Sequence, residues 1–119
     1  MEKEEKSSDI FNLFKNLIQL SVIENCNFSK SNNKDLELFV KRDDLIHKYI
    51  SGNKIRKLKY NIFSFYKNNC SLLVTFGGAF SNHLLATASM CYELGIPCIG
   101  IVRGEELNAK SNFILSKCD

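Results

Sequence analysis

The chain has 119 residues, 45% of them hydrophobic, and a net charge of +3. That length fits one small domain with room for a core, and the charge excess is too small to require an anionic partner. No apolar run reaches the ~20 residues needed to cross a bilayer, and acidic residues ahead of the first apolar stripe argue against a targeting peptide.

Residues 1–9 are charged and polar and are expected to be disordered. Ile10, Phe11, Leu13, Phe14, Leu17 and Ile18 then trace a helical stripe, which predicts a short amphipathic helix packed on the domain. Asn27 to Lys34 has no apolar period and reads as a loop. Leu36 to Arg42 alternates and carries β-formers, so it reads as a strand. Ser51-Gly52-Asn53 reads as a turn with Asn53 as helix N-cap. From Lys54 to about Lys67, Ile55, Leu58, Ile62 and Phe65 recur at three- and four-residue steps, which predicts an amphipathic helix.

Leu72 to Phe76 is a compact apolar run suited to a buried parallel strand, and Gly77-Gly78 is expected to turn the chain. The next helix is predicted over Phe80 to Leu94, with Leu84, Leu85, Ala88, Cys91 and Tyr92 on one side and Gly95 closing it. Cys98 to Val102 gives the third strand, and Asn108 to about Lys117 the last helix. This alternation predicts an α/β fold, a parallel sheet with right-handed crossovers and flanking helices.

Cys26, Cys70, Cys91, Cys98 and Cys118 are odd in number and fit no metal spacing. They read as reduced thiols of a cytoplasmic protein, most of them half-buried filler, and no metal is expected.

Two stretches carry chemistry. Lys54 falls at a helix start, where the positive end of the helix favours the neutral amine by ~0.3–1 kcal/mol. A neutral amine is the nucleophile that forms a Schiff base with an aldehyde. Lys41, Arg42, Lys48, Lys54, Arg56, Lys57 and Lys59 make this region the most basic of the chain, and from spacing alone it reads first as a solvated face. Thr75 to His83 runs strand, two glycines, helix start. That order suits backbone binding of an anion, and it also suits tight packing of helix on strand. It is not the Gly-x-Gly-x-x-Gly dinucleotide fingerprint.

Lys41-Arg42-Asp43-Asp44-Leu45, Gly52-Asn53-Lys54-x-Arg56-Lys57-Leu58-x-Tyr60 and Gly77-Gly78-x-x-Ser81-Asn82-His83 resemble the signatures of the 1-aminocyclopropane-1-carboxylate deaminase and D-cysteine desulfhydrase family. Those enzymes use pyridoxal 5′-phosphate (PLP) and have the two-domain fold of type II PLP enzymes. The resemblance implies that Lys54 carries the cofactor. It implies that Ser81 lies beside the substrate carboxylate, as nucleophile or proton carrier, and that Asn82 bonds the 3′-oxygen of the cofactor ring. His83 stands where deaminases often have glutamine and tilts the substrate slightly towards the desulfhydrase type. Ser51 replaces a glycine and Lys59 a glutamate common in the family.

The resemblance also implies that this chain is only the first portion of the fold. The family's glycine-rich phosphate loop, the tyrosine facing the ring and the acidic residue near its nitrogen do not occur here. The expected function is therefore that of a PLP-dependent deaminase or lyase for a small amino acid, inactive as an isolated fragment. The alternative is a non-catalytic truncated paralogue or split-enzyme subunit. Expected partners are the substrate and either a second copy or a complementary C-terminal half, with no membrane. A nucleic-acid binder using the basic helix ranks last, because its aromatics are not interleaved with its basic residues.

Overall fold

The computed structural model describes residues 2–26, 37–50, 52–104, 107–108 and 110–118. The expected loop over 27–34, the first residue of the expected strand (Leu36), Ser51 and Asp119 lie outside that range. Helix α1 spans Glu2–Gln19, so the backbone is helical from Glu2; its first core residue among those described is Ile10. Phe14 is fully buried and meets Phe63 of helix α2 (Lys54–Lys67) with ring centroids 6.1 Å apart. On α2 the inward face is Ile55, Leu58 and Ile62, all at most 1% exposed, as the three- and four-residue spacing predicts.

Strand β3 (Leu73–Gly78) pairs in parallel with β4 (Cys98–Arg103), in register from Leu73 opposite Cys98 to Gly78 opposite Arg103. Helix α3 (Asn82–Leu94) is the crossover between them. Two parallel strands cannot be joined by a tight turn, so the connection must travel back along the sheet, and a helix does this. Gly95 ends α3 at φ +63°, the left-handed region that a glycine enters without strain, and the N–H of Ile96 bonds the carbonyl of Cys91. The central core joins Ile10 and Phe14 of α1, Ile46 and Ile50 of the loop before α2, the buried face of α2, and Ala86, Met90 and Cys91 of α3.

The two-stranded sheet is covered unevenly. Thr75 is buried and the half-buried Leu73, Cys98 and Val102 share its face, whereas Val74, Phe76, Ile99 and Ile101 on the other face are exposed, Phe76 at 68%. The radius of gyration, 17.8 Å, exceeds the about 13.5 Å of a compact domain of this length.

Several expectations need correction. The strand predicted over 36–42 is β2 (Phe39–Lys41), and it pairs antiparallel with β1 (Ile23–Asn25) rather than joining the parallel sheet. Alternation identifies a strand but not its partner. Here all three residues of β2 are exposed, so no buried face draws it into the main sheet. Instead the N–H of Arg42 bonds the carbonyl of Val22, and its guanidinium reaches Glu24. Gly77 and Gly78 are the last residues of β3, and the turn falls on Ala79 and Phe80. Leu84, Leu85 and Cys91 are buried on α3 as expected, but Tyr92 is 89% exposed and Ala88 only half-buried; Ala86, Thr87 and Met90 complete the buried face.

The last helix, α4, is Phe113–Cys118, five residues later than predicted. Asn108 and Ser111 hold a local turn, through Asn108 N–H to Ser111 Oγ (2.8 Å) and Lys110 N–H to Asn108 Oδ1 (2.9 Å). Asn112 then caps the helix by accepting the N–H of Leu115 at 3.0 Å. Short polar side chains that satisfy nearby N–H groups compete with helix in this way.

Candidate active site

The start of α2 is fixed by Asp43, in the 3₁₀ turn Asp43–Leu45 that follows β2. Its carboxylate accepts from Arg56 Nε (2.8 Å), Arg56 Nη2 (2.9 Å) and Ser21 Oγ (2.6 Å). Its backbone carbonyl accepts the N–H of Gly52 at 2.9 Å. One residue therefore ties the entry segment, the turn before α2 and the first turn of α2 together. The Arg56 guanidinium, then the Ser21 hydroxyl, hold the Asp43 carboxyl well below the usual range. Gly52 sits at φ +62°, which a side chain would strain.

His47 holds the other end of this loop. Its Nδ1 accepts the N–H groups of Tyr49 (3.3 Å) and Ile50 (3.1 Å), so the proton is on Nε2, which lies 2.9 Å from Glu93 Oε1 in the last turn of α3.

Lys54 is the first residue of α2 and is half-buried. Its Nζ donates to Asn53 Oδ1 at 2.8 Å. This corrects the capping expectation. Asn53 occupies the N-cap position but has helical dihedrals (φ −69°, ψ −3°), and its side chain makes no cap bond. A capping side chain needs an extended backbone to turn back onto the helix. The Asn53 amide instead steadies the lysine.

Ser81, by contrast, caps α3. Its backbone is extended and its Oγ accepts the N–H of Leu84 at a long 3.4 Å. An oxygen used as acceptor keeps its own proton to donate. Asn82 is exposed at the first position of α3, and His83 is half-buried, with Nε2 2.9 Å from Thr75 Oγ1.

The two glycines before this helix have different surroundings. A Cβ on Gly77 would lie 2.7 Å from Leu84 Cγ and 3.0 Å from Ser81 Cβ, whereas a Cβ on Gly78 would meet nothing within 4 Å. Gly77 thus serves the packing of helix on strand, and Gly78 leaves the backbone open to a ligand.

The connectivity places the second stretch at the carboxyl end of the parallel strands. Because β3 and β4 are parallel, α3 runs antiparallel to both and begins at the carboxyl end of β3. Helix α2 leads into β3 and packs against α3. Leu58, Asn61, Ser64, Phe65 and Asn68 share an open groove of about 510 Å³ with the strand. Leu58, one turn from Lys54, and His83, beside Asn82, are both walls of that groove. The carboxyl ends of parallel strands are where open α/β sheets bind ligands.

The basic character of the region is largely spent internally. Arg42 is paired with Glu24 and Asp44, Arg56 with Asp43, and Lys59 lies over the Phe11 ring. Among the described residues no three His, Cys, Asp or Glu side chains gather as metal ligands, and no helix is long and apolar enough to cross a membrane. The supporting roles of Asp43, Arg56 and Thr75 were not read from the sequence. The first two lie inside the matched motifs, but their pairing across thirteen residues has no local signal.

Similarity to known proteins covers about two thirds of the chain. No family model matches the chain, and no solved structure matches it. A protein of Pyrococcus abyssi named "Putative 1-aminocyclopropane-1-carboxylate deaminase" is 40% identical over 82 residues, 69% of this chain and 24% of that protein. A Pyrococcus horikoshii protein of the same name is 37% identical over 81 residues, 68% of this chain and 25% of its own. A Yersinia enterocolitica protein named "D-cysteine desulfhydrase" is 31% identical over 78 residues, 66% of this chain and 24% of its own. The chain thus spans about a quarter of the length of the curated relatives it matches. Over that shared stretch the chain matches the family its motifs resemble, that of proteins named 1-aminocyclopropane-1-carboxylate deaminase and D-cysteine desulfhydrase.

Proposed function

We propose that this chain supplies the lysine and the substrate loop of a PLP-dependent deaminase or lyase acting on a small amino acid, of the kinds for which its relatives are named. The observation that supports the reading is a shared groove: Leu58, one turn after Lys54, and His83, next to Asn82, both line it. The residues fit the group. Lys54 offers a half-exposed amine held only by a neutral amide, and the space beside Gly78 admits a ligand to the backbone.

PLP, when bound, supplies an electron-withdrawing ring that weakens a bond at the α-carbon of the joined amino acid. Lys54 Nζ would hold the cofactor, and its amine would carry the proton at the substrate α-carbon. Asn82 would hold the 3′-oxygen side of the cofactor. Ser81 Oγ would donate a hydrogen bond to the substrate carboxylate, and the N–H groups at the start of α3 favour the same negative charge. His83 contributes from the groove wall.

The phosphate of the cofactor needs preorganised donors, and no glycine-rich phosphate loop occurs in this sequence. The isolated chain is therefore expected to bind PLP weakly and to turn nothing over. A second reading, a split-enzyme subunit or truncated paralogue that binds a complementary chain, draws support from the bare sheet face of Val74, Phe76, Ile99 and Ile101.

Absorbance titration with PLP tests the reading, with Lys54→Ala as control. Weak binding that disappears in Lys54→Ala supports it. Binding indifferent to that substitution contradicts the role of Lys54, and tight binding contradicts the need for further chain.

A further inference from the structure

Thr75 is a buried polar residue in the middle of β3, 7% exposed. Its hydroxyl has one hydrogen-bond partner among the described residues, Nε2 of His83 at 2.9 Å. A hydroxyl that accepted the Nε2 proton would leave its own hydrogen without an acceptor in a buried place, and buried donors are rarely left so. A hydroxyl that donates to Nε2 leaves no such orphan. The proton of the ring then sits on Nδ1, which has no partner among the described residues.

His83 is anchored from its backbone side as well. It is the second residue of α3, and its carbonyl accepts the hydroxyl of Thr87 at 2.8 Å. With Ser81 capping the same turn, the ring has a fixed base and a fixed far nitrogen.

We propose that Thr75 is a positioning residue for His83: by donating to Nε2 it holds the imidazole in one orientation and in the Nδ1–H tautomer on the wall of the groove between α2, β3 and α3. The residue then presents a neutral donor, Nδ1–H, beside a helix start that already favours negative charge. An anionic group of the substrate, such as a carboxylate, is the chemistry this recognises. The proposal rests on the reading of His83 as a substrate-facing residue, and it adds the device that sets which nitrogen does the facing.

The chain contains only two histidines, so nitrogen-15 NMR of histidine-labelled protein resolves the matter. His47, whose Nδ1 accepts two backbone N–H groups, gives the Nε2–H pattern and serves as internal reference. His83 is expected to show the opposite pattern, with a protonated Nδ1 and an unprotonated Nε2. In Thr75→Val the His83 signals should move towards a rapidly averaged mixture, and Thr75→Ser, which keeps the hydroxyl, should restore the wild-type pattern.

A His83 ring already in the Nε2–H form or averaged in the wild type overturns the proposal, and that spectrum needs no variant to fold. An unchanged His83 pattern in Thr75→Val overturns it equally. The measurement reads the ring alone, so a failure of Lys54 to take PLP would leave it intact.

Discussion

Replacing Gly77 and Gly78 separately by alanine sets two adjacent residues of one strand against each other. At Gly77 the new methyl would stand 2.7 Å from Leu84 Cγ, 3.0 Å from Leu84 Cδ1 and 3.0 Å from Ser81 Cβ. Carbon atoms rest at about 3.5–4.0 Å, so the first turn of α3 must retreat by about 1 Å or Leu84 must leave its rotamer. Overpacking of that kind costs about 1–3 kcal/mol. At Gly78 the methyl meets nothing within 4 Å and φ is not in the left-handed region. Gly78→Ala should therefore be neutral or stabilising by about 0.4–1 kcal/mol, through the unfolded chain.

Urea denaturation followed by circular dichroism separates the two, and melting temperatures should differ by about 4–8 °C for each kcal/mol. The same pair separates packing from ligand approach. Gly78→Ala should weaken PLP binding while leaving the fold intact, because it fills the open space beside the helix start. Equal stability of the two variants would refute the division of roles between these glycines.

Two further outcomes follow from the electrostatics. Asp43→Asn should destabilise the chain by about 1 kcal/mol, a modest figure because the Arg56 side chain is 39% exposed and solvent screens the pair. The Asp43 carboxyl is held below its ordinary value in the folded chain. Its contribution is therefore complete above about pH 4 and is lost as pH falls through the lowered folded value, so denaturation curves of variant and wild type should converge in strong acid. Burial, then Cys98, raises the Cys91 thiol above its usual range. Its contribution is present below about pH 8.5 and drains away as pH rises beyond that. A thiol reagent at neutral pH should modify the exposed Cys70 first and Cys91 last, as peptide mapping would report.

Much of the fold was legible because period and punctuation agreed. Ile55, Leu58 and Ile62 mark a buried helical face, and the bounds of α2, Lys54–Lys67, are those the spacing predicts. Gly95 and Pro97 fix the end of α3, and the apolar runs at 72–76 and 98–102 overlap the parallel pair, although Leu72, Val74 and Phe76, expected to be buried, are exposed. What was not legible depends on partners distant in sequence. The alternation of Phe39 to Lys41 gives a strand, yet its pairing with Ile23–Asn25 is decided by contacts of Arg42 with Glu24, 18 residues away, and with Val22. Asn112 displaces the expected helix start from Asn108 because two polar residues nearby satisfy each other first. In the candidate site, the lysine and the Ser-Asn-His run were read from their motifs, while the Asp43 clamp and the Thr75 contact emerge only from the folded chain.

The central claim is that Lys54, among the many amines of this chain, is the one built to take an aldehyde cofactor. Incubation with PLP, reduction with borohydride and peptide mapping test it most directly. The account predicts that the label concentrates on Lys54 at low PLP, that free phosphate does not redirect it, and that Lys54→Ala removes it. Label spread evenly over Lys41, Lys48, Lys57 and Lys59, or unchanged in Lys54→Ala, would contradict it.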